Sequence, residues 1–383
     1  MTSRRSDGTA LLCVLVFCIT CGVGAFGPLL PEIGKTHALS DWQLGILAGS
    51  FGLARMIADV PSGVLAGRYL APTLMVSPAV VLAGLVLLAT GGPFPILVLG
   101  RILTGLGHTF GMVGGLTAIL RDDFGPRASI RLNVFEFAGM LGVLGGLASV
   151  GAMPAGWSWP RSLLAASVPV LVPVAIVPMM RHRFFALSGR PSDAPSAPRT
   201  SSARTSPIVW LMFGVGIILA LAWASVSQFL IPLRGTREFG LDRGGVSSLL
   251  ALSQLVDLAA LLPVGWLADR AGRVPVLGSV VAIVAFGVWG TGLGSFGYFV
   301  AGCGLLGLGM AGWMLPLGII REHIEPHTLA WRTGLYRVGI DGAAFLGPLI
   351  CGAIGESHTT VFIALVGLAA LVAGGCVLWR GRA

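Results

Sequence analysis

The chain reads as an all-α integral membrane protein with twelve transmembrane helices in two pseudo-symmetric six-helix bundles. Three observations predict this. Hydrophobic residues make up 55% of the 383 and charged residues 11%, with a mean hydropathy of +0.88, whereas roughly a quarter of a soluble domain is charged. Apolar runs of about 20 residues recur from end to end, each long enough to cross roughly 30 Å of hydrocarbon as a helix whose backbone groups bond internally. Finally, the chain repeats itself. Laying Gly63 on Gly265 brings Pro61 onto Pro263, Arg68 onto Arg270 and Arg55 onto Asp257, and a repeat of about 200 residues means two packed halves.

The expected spans are roughly 10–31, 44–66, 73–91, 94–120, 131–152 and 161–180 in the first half. In the second half they are roughly 207–232, 245–267, 274–292, 296–320, 333–355 and 360–379. The first run, Ala10 to Leu30, is too long for a signal peptide and lacks a small-residue cleavage site, so it reads as a spanning helix. Residues 1–187 form the N-terminal bundle and 207–383 the C-terminal one. Between them, 188–206 is rich in Ser, Pro and Arg and reads as a cytoplasmic linker.

The net charge of +9 does not point to nucleic acid, because the basic residues fall in alternate loops and form no stripe. Arg4, Arg5, Arg121, Arg127, Arg131, Arg181, Arg183, Arg190, Arg199, Arg204, Arg270, Arg273, Arg321, Arg332, Arg380 and Arg382 share one side, which the positive-inside rule makes the cytoplasm. Both termini are then cytoplasmic, in a cell (inner or plasma) membrane. All six cysteines lie within spans, which argues against a disulfide framework. No Walker loop, nucleophile elbow or soluble pair of catalytic carboxylates is present, so the chain does not read as an enzyme. No cofactor is implied.

The second half carries Gly265-Trp-Leu-Ala-Asp269-Arg270-Ala-Gly272-Arg273, and the first half has Gly63-Val-Leu-Ala-Gly67-Arg68-Tyr69 at the equivalent place. These resemble the loop signature of the major facilitator superfamily, complete in the later copy and lacking its Asp in the earlier one. Arg101-Ile-Leu-Thr-Gly105-Leu-Gly107 is similar to the family's intramembrane Arg-x-x-x-Gly-x-Gly motif. Pro28-Leu-Leu-Pro31 followed by Leu39-Ser-Asp41-Trp-Gln-Leu-Gly45 resembles the usual exit from the first helix and start of the second. The Gly-Pro pair of the family's antiporters is missing from the fifth helix, and Gly347-Pro348 stands in the eleventh. The resemblance implies a monomeric secondary transporter that moves a small molecule by rocking its halves about a midplane site.

Eight ionisable side chains fall inside spans: Arg55, Asp59, Arg101, His108, Glu136, Asp257, Arg337 and Asp341. A charge there costs about 2.5 to 3.5 kcal/mol or more, so such residues by default mark ion or substrate pathways. Arg55 and Asp59 are four residues apart, as are Arg337 and Asp341, so each pair can share a helical face. In the resembling fold helices two and eleven meet across the boundary between halves, which suggests two ion pairs, Arg55 with Asp341 and Asp59 with Arg337. They would be either static or broken and remade in each cycle. Glu136 and Asp257 stand on helices five and eight, whose spans hold no buried base, and they suit proton coupling.

His108 and Met112 in the fourth helix coincide with Met310 and Met314 in the tenth, and Cys18 and Cys21 add thiols in the first. Such ligands suit a soft ion such as Cu(I), although Met and Cys are also common apolar fillers. Phe26, Trp223, Gln228, Gln254 and Trp313 would suit an organic solute instead, with aromatic walls and few polar anchors. The expected function is proton-coupled efflux of an organic compound. The alternatives are proton-symport import of an organic anion received by Arg101 or Arg55, a soft-metal permease, and a non-transporting membrane sensor or assembly factor.

Overall fold

The computed structural model describes residues 6–121, 128–179 and 206–381. Residues 188–205 of the expected 188–206 linker lie outside the described residues, as do Arg4, Arg5, Arg127, Arg181, Arg183, Arg190, Arg199, Arg204 and Arg382. Everything described is helix, turn or short connection.

In the first half, α1 (Ser6–Gly24) is followed by a 3-10 turn (Gly27–Leu29) and α2 (Leu30–Thr36). Then come α3 (Asp41–Ala89), α4 (Phe94–Arg121), α5 (Ala128–Gly151), α6 (Trp159–Ser167) and α7 (Leu171–Met179). The second half begins with α8 (Pro207–Ala222), which widens into a π-helix (Trp223–Leu230) before α9 (Ile231–Arg237). It continues with α10 (Arg243–Ala271), α11 (Arg273–Gly292), α12 (Phe296–Met310), α13 (Leu315–Glu322), α14 (Pro326–Ile354) and α15 (Thr359–Arg380).

Among the described residues eleven helical stretches are long and apolar enough to span a membrane. The expected helices 44–66 and 73–91 are both present, as two helices that follow one another inside α3 without a loop and are divided by a kink at Tyr69, whose backbone leaves the helical region (φ −133°, ψ 53°). At 1.5 Å per residue the 49 residues of α3 amount to about 73 Å of helix, more than two hydrocarbon thicknesses, which is enough for two crossings joined at that kink. The second half joins the equivalent helices in another way. In the second half the same loop ends α10 at Gly272, whose φ of +91° only glycine adopts without strain. The first half has Leu70 at that register, so the chain bends where its repeat breaks.

Large apolar side chains face outward all along the helices, Ile57, Leu262 and Trp379 each being more than 60% exposed. That surface would aggregate in water and is what hydrocarbon solvates.

Packing divides the chain into two compact units, Met1–Ala38 with Ser50–Ala194 and Leu39–Gly49 with Pro195–Ala383. Helices within each approach closely where side chains are missing, the usual device when lipid supplies no hydrophobic drive. In the first unit a Cβ on Gly105 would lie 2.7 Å from the carbonyl oxygen of Phe51, and one on Gly107 would lie 2.6 Å from the nitrogen of Val81. Ser77 adds a hydrogen bond from Oγ to the Gly107 carbonyl (2.8 Å). The second unit repeats the device. Gly307 faces the carbonyl of Ser253, the repeat partner of Phe51, and Gly309 faces Val280 and Val284. The Arg-x-x-x-Gly-x-Gly spacing is therefore a packing code as well as a motif.

Residues 39–49, which lead into α3 and form its first turns, belong to the second unit. A Cβ on Gly45 would lie 2.5 Å from the Pro348 carbonyl oxygen, and one on Gly49 would lie 2.6 Å from that of Phe345, both in α14. Asp41 accepts a hydrogen bond from Arg237 Nη2 at 2.6 Å, and Glu356 stands 3.8 Å from the same guanidinium.

Candidate substrate site

In the first unit the buried charge at Arg101 is placed by two breaks in regular structure. Pro28 has no N–H to continue α1, which ends at Gly24 and leaves Phe26 in the turn before the 3-10 segment. Gly105, one turn beyond Arg101, lets α4 close on the part of α3 that carries Phe51. The Cζ of Arg101 consequently lies over two ring faces, 3.7 Å from the centroid of Phe26 and 4.9 Å from that of Phe51.

Arg101 is 5% exposed. Its Nε and Nη1 are buried with no hydrogen-bond partner among the described residues. A desolvated cation–π contact contributes about 2 kcal/mol, and two do not offset the several kcal/mol of taking a charge out of water. The arrangement is therefore unfavourable for folding by itself, and it holds a ready donor for an anion.

Phe51 also touches two other candidates. The His108 ring centroid lies 5.3 Å from its own at an interplanar angle of 59°, and Arg55 Cζ lies 5.7 Å from it. Arg55, Arg101 and His108, all expected from sequence, thus gather around a residue that sequence reasoning missed, while Phe26 meets Arg101. The signal was present, since Phe51 is four residues before Arg55 and shares its helical face.

In the second unit, Asp257 is half-buried in α10. Its Oδ1 has no hydrogen-bond partner among the described residues, and Oδ2 accepts only a long contact from Gln254 Nε2 at 3.5 Å. Trp223 and Gln228 lie on the π-helix, where Pro232 lacks the N–H that would reach back to the carbonyl of residue 228. Met310 is buried at the end of α12, Trp313 is half-buried in the turn that follows, and Met314 is 48% exposed.

The remaining candidates are placed as follows. Asp59 is buried in α3 and Glu136 half-buried in α5, both in the first unit. Arg337 is half-buried and Asp341 buried in α14 of the second. Cys18, Cys21, His108 and Met112 belong to the first unit, and Met310 and Met314 to the second. Among the described residues no group of three or more His, Cys, Asp or Glu side chains is gathered to hold a metal ion.

The two loop signatures also differ in their contacts. In the second unit Arg270 Cζ lies 4.2 Å from the Trp266 ring centroid, Asp269 is exposed, and Arg273 pairs with Glu322 at 2.6 Å. In the first unit Gly63 and Arg68 are exposed, and the carbonyl of Gly67 accepts from Arg121 Nη2.

A sequence model of the Major Facilitator Superfamily matches residues 12–237 and 224–383, nearly the whole chain. The chain belongs to the major facilitator superfamily. It is a multi-pass membrane transporter of the major-facilitator type and not an enzyme. It is 25% identical to the 4-hydroxybenzoate transporter PcaK of Pseudomonas aeruginosa over 97% of this chain and 91% of that protein. It is 29% identical to the mouse facilitated glucose transporter member 10 over 70% of this chain and 54% of that one.

Solved structures share the fold at low identity. A peptide transporter POT in complex with sulfate superposes with a TM-score of 0.81 at 14% identity, covering 98% of this chain and 94% of that one. A bacterial homologue of the human lysosomal transporter Spinster, inward-facing and unoccupied, gives 0.73 at 14% identity over 100% and 98%. For this major-facilitator protein the Gly105–Phe51 and Gly307–Ser253 contacts are thus the packing of its two repeats.

Proposed function

We propose that this protein carries a small organic carboxylate across the membrane in a proton-linked cycle, with Arg101 receiving the carboxylate and Asp257 carrying the proton. One observation carries the reading: a guanidinium buried over two phenylalanine rings with Nε and Nη1 unpartnered. A carboxylate entering there replaces its water with charge-assisted hydrogen bonds in a low dielectric, where each is worth about 1.5 to 3 kcal/mol. The similarity to a 4-hydroxybenzoate transporter over nearly the full chain supports the same class of solute. The carboxylate reading therefore takes precedence over efflux of an unspecified organic compound.

Asp257 supports proton linkage because it is an acid inside a spanning helix whose Oδ1 is buried with no hydrogen-bond partner among the described residues, and ionisable side chains so placed mark ion pathways. Protonation and deprotonation of that single group, timed with carboxylate release at Arg101, would couple the two fluxes across the pair of units.

The test is flux of radiolabelled 4-hydroxybenzoate in proteoliposomes, with a pH gradient imposed in either direction. We expect saturable flux driven by one polarity, which also assigns import or export. Arg101→Lys should lower kcat/KM at least about tenfold, since a lysine ammonium cannot reproduce the planar donor set. Normal transport by a folded Arg101→Met protein would overturn the reading.

A further inference from the structure

We infer that Phe26 and Phe51 act as a shape filter on the anion that Arg101 receives, admitting flat carboxylates and rejecting tetrahedral oxyanions of equal charge. The inference rests on the carboxylate reading and deepens it. Both rings turn their faces toward the same Cζ, at 3.7 and 4.9 Å. At 3.7 Å the guanidinium is in van der Waals contact with Phe26, so no ligand atom fits between them. What remains for an anion is the N–H edge of the guanidinium, where Nε and Nη1 stand without acceptors.

The faces of aromatic rings carry the negative end of the ring quadrupole. A carboxylate brings both its oxygens in one plane and can lie along the guanidinium plane, clear of those faces. A sulfonate or phosphonate that offers two oxygens to the same donors holds its third out of that plane, against a ring face that repels it. Neither wall yields easily. Phe26 is 2% and Phe51 8% exposed; Phe26 is fixed by the Pro28 break, and Phe51 by the backbone approach at Gly105. The rings are positioning residues: they hold the cation and set the direction from which it is met.

The experiment compares benzoate with benzenesulfonate, which share a ring and a single negative charge, by calorimetric titration of the detergent-purified full chain. Wild type is expected to bind benzoate at least about tenfold more tightly than benzenesulfonate. Phe26→Leu and Phe51→Leu keep an apolar wall without a π face. They should narrow the ratio to about threefold or less, mainly by gaining affinity for the sulfonate. Arg101→Met should lose both ligands.

Equal binding of the two anions by wild type, abolished in Arg101→Met, would remove the filter and leave the carboxylate site standing. An undiminished ratio in both leucine variants would likewise remove it. If wild type binds neither anion, the carboxylate reading itself falls. The wild-type comparison needs no variant, so a leucine protein that fails to fold does not spare the inference.

Discussion

Arg121, the last residue of α4, donates through Nη2 to the backbone carbonyl of Gly67. Gly67 holds the place that Asp269 occupies in the second unit, so a main-chain oxygen meets the guanidinium at the place where the family signature would put a carboxylate. No heavy atom lies within 4 Å of a Cβ built on Gly67. Gly67→Asp should therefore fit and add a carboxylate within reach of Arg121. A half-exposed pair is worth about 0.2 to 1 kcal/mol, and loss of a helical glycine adds a few tenths more. Thermal unfolding in detergent should show a small rise that shrinks at high salt, as screening requires.

The glycine packing code makes a contrast within a single helix. Gly307 faces the Ser253 backbone with no room for a methyl group, while Gly304, one turn earlier, has nothing within 4 Å. Gly307→Ala should cost about 1 to 3 kcal/mol through forced separation of α12 from α10, and Gly304→Ala should be neutral or stabilising by up to about 1 kcal/mol. Chemical denaturation of the two variants side by side checks this, and equal behaviour would contradict it.

Shape should also outweigh charge where residues 39–49 dock. The Asp41–Arg237 pair is part-exposed, so Asp41→Asn should cost less than about 1 kcal/mol. Gly45→Val places three carbons where a Cβ alone would approach the Pro348 carbonyl to 2.5 Å, and should cost about 2 kcal/mol or more. Midpoints of thermal unfolding for the two proteins give the order directly.

Arg101→Met is expected to stabilise the protein while abolishing carboxylate binding. A buried charge lacking hydrogen bonds is replaced by an unbranched apolar chain of similar length, which removes the desolvation cost of that charge, and that cost exceeds the loss of its two ring contacts. A raised melting temperature with loss of ligand-induced stabilisation would identify Arg101 as a residue kept for binding at the expense of stability. A lowered melting temperature would mean that its ring contacts hold the fold.

Asp257→Asn removes the ionisable proton and leaves an oxygen that Gln254 can still reach. The variant should be at least as stable as wild type, because no buried carboxylate has to stay charged or take up a proton. Carboxylate exchange across liposomes should persist while accompanying proton movement, followed with a trapped pH-sensitive dye, disappears. Dye responses equal to those of wild type would place the coupling proton elsewhere, with Glu136 the next residue to test.

Much of this was legible in the chain. Apolar runs gave the spans because a helix in hydrocarbon must bond its own backbone, and that constraint reads directly as segment length. The repeat that pairs Gly63 with Gly265 also pairs the contacts of Gly105 and Gly307, since equivalent sequence spacing buries equivalent backbone. Arg101 stood out because charge inside a span is rare.

What stayed hidden depended on one or two residues. The helices 44–66 and 73–91 meet at the Tyr69 kink with no loop between them, because Leu70 stands where the second half has Gly272, whose positive φ lets the backbone turn. Phe51 drew no notice because one more phenylalanine in an apolar helix carries no signal in composition or period. It matters only because Gly105 brings a second helix against it, along with Arg101.

Sequence by itself determined the family, the membrane setting, the repeat and the presence of costly buried charges, since each follows from local pattern and from the energy of transfer into lipid. Tertiary structure decided which charges have partners, which rings face Arg101, and that residues 39–49 pack with the second unit. Those depend on how closely backbones approach at a few glycines, a distance that no residue alone encodes.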